Sequence, residues 1–143
     1  MLKKYNLLTL LLFPSFLFAQ SSAADIIKQD CDGRVFTSMQ QLPAFTISKE
    51  AFQDSLATYF KENNVSIKNI KFVYTITITK KSRITDVHKF LGNHDNEAFI
   101  LQALSKFSYL LTPAQQNTYL VCASVVFEIA FIGDSILVDL RAL

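Results

Sequence analysis

Apolar and polar positions alternate from Ile70 to Thr79. Ile70, Phe72, Tyr74, Ile76 and Ile78 fall on one side, and Lys71, Val73, Thr75, Thr77 and Thr79 on the other. Period two with β-branched and aromatic residues predicts a strand. Lys80-Lys81-Ser82-Arg83 breaks the pattern and Ile84 to Leu91 resumes it, which predicts a hairpin. With no glycine in the break, a loop built on a type I turn is expected. Gly92-Asn93-His94-Asp95 ends the second strand, and Asn93 or Asp95 is expected to cap the helix that follows. Ile100, Leu104, Phe107 and Leu111 share one face of that helix, Ala98 and Leu101 widen it, and Pro113 stops it. Tyr119 to Phe131 alternates between two sets that are both largely apolar. A long third strand, covered on much of both faces, is expected there.

Upstream, Gln20 to Gln29 is polar and alanine-rich, the composition of a loose terminus. Cys31-Asp32-Gly33-Arg34 reads as a turn and Val35-Phe36-Thr37 as a short edge strand. Leu42-Pro43-Ala44-Phe45 is extended, because the residue before proline avoids the helical region. Ser48 caps a helix to about Lys61, with Phe52, Leu56, Tyr59 and Phe60 as its apolar face and Glu50 in its first turn. After Phe131, Gly133-Asp134 is a turn signal, and Ser135 to Leu140 would fold back as a fourth strand. The fold class is therefore α+β: two helices on one face of a small antiparallel sheet, in the order helix, strand, strand, helix, strand, with an extra C-terminal strand. Residues 40–143 form the domain and residues 20–39 a flexible segment before it.

Composition adds a compartment. Lys3 and Lys4 precede an apolar run from Leu7 to Phe18, and Leu17-Phe18-Ala19 stands before Gln20. That is the pattern of a secretory signal peptide over residues 1–19, cut after Ala19. Pro14 interrupts the run, which is shorter than the ~20 residues a spanning helix needs. Without the leader, the fourteen basic residues lose Lys3 and Lys4, leaving twelve against twelve acidic ones. A neutral mature chain lacks the basic footprint of a nucleic-acid binder. Cys31 and Cys122 would close a loop of ~90 residues if bonded in an exported protein. Two separate thiols, with Cys122 a buried strand residue, fit the sequence equally well.

Candidate chemistry is sparse. Asp86 and His88 share a strand face, and His94, Asp95 and Glu97 lie just beyond. Carboxylate and imidazole neighbours suit zinc, but a solvated strand end and a helix cap use the same residues, and no metal or other cofactor is expected. No serine sits in a G-x-S-x-G turn, three glycines make no phosphate loop, and a Cys122–His88 pair would need the fold to join two distant residues. Lys80, Lys81 and Arg83 read as a charged turn. No enzymatic activity is expected.

The order of elements and several short motifs resemble the TonB C-terminal domain family. Leu42-Pro43-Ala44-Phe45 matches its proline-aromatic loop and Ile84-Thr85-Asp86-Val87 its I-x-x-V run. Glu97-Ala98 opens the second helix. Phe107 to Asn117, with Pro113, Ala114 and Asn117, resembles the family's aromatic-x-Pro-A-x-x-N-G exit, and Phe127 to Phe131 its terminal V-x-x-F. The likeness covers roughly Gln40 to Phe131. Family glycines are replaced by Thr46 and Ile47, by Arg83 and by Thr118. The chain has three prolines and is expected to stand alone, without the family's membrane anchor and proline-rich spacer. The resemblance implies a periplasmic protein-interaction module of a Gram-negative envelope, linked to outer-membrane transport. It implies a receptor peptide added as a strand along an open edge made by Tyr119, Val121, Ala123, Val125, Phe127 and Ile129. A homodimer pairing by that same edge and a cystatin-like inhibitor are the alternatives.

Overall fold

The computed structural model describes residues 22–143, so the leader lies outside the described residues. Helix α1 runs Ala23–Cys31, strand β1 Ala44–Phe45, and helix α2 Lys49–Glu62. Strands β2 (Ile70–Ile78) and β3 (Ile84–Leu91) follow, then α3 (Glu97–Phe107) and a 3-10 turn at Ser108–Leu110. The chain closes with β4 (Leu111–Thr112), β5 (Ala114–Gln116), β6 (Tyr119–Val121), β7 (Ala123–Ile132) and β8 (Ser135–Arg141). The main sheet is antiparallel in the order β3-β2-β7-β8, with small two-stranded sheets β1-β4 and β5-β6 beside it. This is the α+β fold expected from the pattern.

The register explains the core. Phe72 lies opposite Ile129, Tyr74 opposite Phe127 and Ile76 opposite Val125. Phe131 and Ile129 lie opposite Ile136 and Val138 of β8. These side chains meet Phe52, Leu56 and Phe60 of α2 and Ile100, Ala103 and Leu104 of α3 in one cluster. Aromatic edges knit the layers: Phe60 contacts Phe99 at 4.9 Å and Phe131 at 5.4 Å between ring centroids, spacings at which such pairs attract beyond their area burial. Ser48 caps α2 as expected, its Oγ accepting from the Ala51 amide at 3.1 Å.

Four expectations are corrected. The segment expected to be flexible, which is described from residue 22 on, is not a loose tail there: residues 23–31 form α1, capped by Ser22 and closed by Asp32 in the left-handed conformation. Val35-Phe36-Thr37 contributes only one bridge, Phe36 to Ala123. The second helix ends at Phe107, because Thr112 precedes Pro113 and must be extended. Leu111 therefore leaves the helical face and pairs with Phe45. The cap of α3 is Asn96, not Asn93 or Asp95, and its side chain makes no capping bond.

The third strand is also broken. At Cys122 the chain bends, and Tyr119–Val121 pairs with Ala114–Gln116 instead of joining the main sheet. The turn between them places Asn117 at φ 49° and Thr118 at φ 69°. A two-residue turn with both φ positive suits Asn-Gly, and a β-branched residue there is strained. Replacing Thr118 with glycine is expected to raise the urea midpoint, by about 1 kcal/mol in stability.

Candidate functional site

The residues expected to form a binding edge do not form one. Ala123, Val125, Phe127 and Ile129 are buried, the last three in the core cluster with α2 and α3. Their strand, β7, lies between β2 and β8. The Gly133-Asp134 turn folds β8 back so that Val126 to Ile132 pair with Arg141 to Ser135. Beyond the reach of β8, Phe36 covers the same side: its amide donates to the Cys122 carbonyl and its carbonyl accepts from the Ser124 amide, both at 2.9 Å. Tyr119 and Val121 sit apart on β6, with Tyr119 largely exposed. The main-chain groups a receptor peptide would need along β7 are already used.

The true edges are guarded. On β8, the outward Val138 amide donates to Gln53 Oε1 of α2 at 3.0 Å, and Lys49 of α2 reaches Asp139 at 3.1 Å. On β3, two register shifts interrupt pairing with β2, and Asp86 at φ 50° sits in one of them. Bulges of this kind twist an edge away from an incoming strand. Lys89 of the same strand is bound to Glu97 at 2.8 Å and to the Asn93 carbonyl at 3.1 Å. The Lys89 hydrogen bond and charge, with a smaller part from His94, hold the Glu97 carboxyl below its ordinary range against the effect of burial.

What stays open is the sheet face turned away from α2 and α3, except at the end where Thr77, Thr79 and Thr85 are buried beside α1. Adjacent rows there read Lys71-Ala130-Leu137, Val73-Glu128-Asp139 and Thr75-Val126-Arg141. Glu128 is central: Lys71 approaches it at 2.8 Å and Arg141 binds it from the other side. Val73, Val126 and Ala130 are half-buried, and Leu137 is exposed. The face is mixed, with apolar patches around an ion cluster, the composition of ordinary protein interfaces.

At the Thr77–Thr85 end, α1 packs against β3. Cys31 and Cys122 are bonded, with Cα atoms 5.6 Å apart. Beside them, the fully buried Asp30 carboxylate accepts from Arg83 Nε and Nη2, each at 2.7 Å, and from Thr79 Oγ1 at 2.9 Å. The Arg83 bonds, followed by the Thr79 hydroxyl and the charges of Arg83 and Lys81, outweigh burial and pull the Asp30 carboxyl down to about 2. Arg83 thus anchors α1 to the hairpin loop.

Folded Asp30 titrates below an unfolded Asp (about 3.9). Its contribution is therefore complete above about pH 4 and disappears as pH falls through about 2. Arg83→Met is expected to cost roughly 2 kcal/mol at pH 7, less than a fully buried pair because the guanidinium is half exposed. Urea titrations of the two proteins should converge as pH falls toward 2. A difference that stays constant with pH would contradict this account.

The remaining candidate residues form two separate exposed pairs. His88 Nε2 lies 3.1 Å from Asp86 Oδ1, and His94 Nδ1 lies 3.4 Å from Glu97 Oε2. Asp95 joins neither. Among the described residues no three His, Cys, Asp or Glu side chains gather as metal ligands, and the Cys122 sulfur belongs to the disulfide rather than to a pair with His88. The Tyr74 hydroxyl is buried without a partner, and burial pushes its ionisation well above the ordinary tyrosine range. Among the described residues, no helix is long and apolar enough to cross a membrane.

No protein-family model, curated protein or solved structure matches the chain. The open face and the α1 anchor were the features sequence reasoning missed. The face was visible as Lys71, Val73 and Thr75 on one side of the alternation, but its counterpart on β7 looked equally apolar on both sides. The anchor had no local signal beyond the cysteine in its last turn.

Proposed function

We propose that the protein is an exported, disulfide-pinned interaction module that meets a partner protein through the part of its outer sheet face that the helices leave uncovered. One observation carries this reading. Both strand edges are guarded, while Val73, Val126, Ala130 and Leu137 surround the Lys71-Glu128-Arg141 cluster on a face that α2 and α3 leave uncovered. Export is supported by the leader pattern at residues 1–19 and by a disulfide of the kind that persists in oxidising compartments. The helix-strand-strand-helix-strand order and the motifs from Gln40 to Phe131 support a relationship to TonB C-terminal domains, and with it a place in a Gram-negative periplasm near outer-membrane transport. A receptor peptide would then engage the face and not the third strand.

The test is site-specific photo-crosslinking in the envelope of the source cell. A benzophenone side chain at Val126 or Leu137 is expected to give one discrete adduct with a second protein. The same group at Asp54, exposed on α2, should give none, and Glu128→Lys should abolish the adduct. Adducts of twice the chain's own mass would replace this reading with self-association. Equal labelling from Asp54, or none from the face, would overturn it.

A further inference from the structure

A groove of 680 Å³ opens between the C-terminal half of α2, the loop behind it and the β7–β8 turn. Its volume falls in the range of small-molecule sites, about 300–1,000 Å³. The floor is apolar: Phe60, Phe131 and Ile136, each nearly buried by the protein itself. Val65 and Ile67 form a second apolar wall. The rim carries Lys61 and Lys68 against the single carboxylate of Asp134. The Lys68–Asp134 contact is 3.7 Å long, with both side chains mostly exposed, so it neutralises the rim weakly.

The main chain decides what kind of ligand fits. The Val138 amide points away from β7, since it donates to Gln53. Two residues earlier on the same strand, the Ile136 amide points the same way, toward the groove that Ile136 lines. An extended peptide needs several such groups in a row, and here Gln53 has closed the next one. Thr58, Asn64, Ser66 and Ser135 also line the groove, so its walls are mixed, and one outward main-chain donor, two ammonium groups and an apolar floor suit a ligand with a single anionic head and a slender apolar body. We propose that the groove binds a medium-chain aliphatic carboxylate, its chain against Phe60, Ile67 and Phe131 and its head near Lys61, Lys68 and the Ile136 amide.

The experiment uses sodium decanoate, below its micelle-forming concentration, added to the isotope-labelled protein produced from the full chain. Saturable one-to-one shifts are expected at the Ile67 and Ile136 amides, with unchanged signals on the opposite sheet face. Decyltrimethylammonium, with the same chain and a cationic head, should bind at least tenfold more weakly, and acetate not at all. Lys61→Gln combined with Lys68→Gln leaves the buried floor intact and should weaken decanoate at least tenfold without weakening the cationic amphiphile. Lys61→Glu with Lys68→Glu should reverse the preference. Equal binding of both amphiphiles, shifts that do not saturate, or shifts centred on the sheet face would each overturn the proposal.

Discussion

Removing the Cys31–Cys122 bond is expected to destabilise the protein by about 4.5 kcal/mol, the chain-entropy value for a loop of this length. Both cysteines are themselves buried beside a cavity of 360 Å³, so a small phosphine is the reductant to use. Reduction, or Cys31→Ala with Cys122→Ala, should lower the urea midpoint. The dependence on urea should steepen as well, because the unfolded chain, once freed of the crosslink, exposes more surface. The loss should not be uniform. The amides of α1 should exchange faster at once, since what still ties it down is a set of polar contacts, from Arg83 to Asp30 and Gln29 and from Thr79 to Asp30, with its packing on β3. The amides of β2 and β7 should keep their protection until global unfolding, because their core lies on the other side of the sheet. A midpoint change worth less than about 1 kcal/mol would mean that the Asp30 bundle alone holds α1 and that the entropic account fails here.

The contrast between α1 and the sheet shows what a single sequence conveys. The two longest strands and α2 were legible because each carries its own periodic pattern and, in α2, a serine cap. Strand β8 was legible from Gly133-Asp134 between apolar runs. Its consequence was harder to read: whether it would pair with β7 depends on register, not on composition, and that pairing turned an expected peptide edge into a core strand. The helix α1 was hidden for a different reason. Nine residues with three charges make a marginal helix alone, and its stability comes from Cys122, Thr79 and Arg83, all far away in sequence. The last helix was overextended because Leu111 fits the helical spacing, while Pro113, two residues on, vetoes it. For the site, Lys71, Val73 and Thr75 identified one wall of the open face, but only the register with Glu128 and Arg141 assembles the ion cluster.

Gly92 illustrates the same limit at a single residue, and Gly92→Ala is expected to be severely destabilising. In the sequence it is merely the end of β3. In the fold its φ is +124°, a conformation that L side chains rarely adopt, and a Cβ there would stand 2.2 Å from Phe72 Cδ1. The ring cannot easily yield. Phe72 is fully buried, stacks parallel to Tyr74 at 6.2 Å and meets the edge of Phe131 at 6.0 Å. Overpacking costs about 1–3 kcal/mol and the backbone strain a further 1–3 kcal/mol or so, giving roughly 4 kcal/mol together. Thermal and urea unfolding of Gly92→Ala test the total. A double-mutant cycle with Phe72→Leu separates the two causes. Shortening the ring should relieve the clash but not the strain, so the double variant should be more stable than the sum of the single losses, by about 1–3 kcal/mol of coupling. Strict additivity would mean that the backbone alone demands glycine at this position. Strong coupling would mean that Phe72 is built into the core so tightly that the strand beside it can carry no side chain where it turns toward α3.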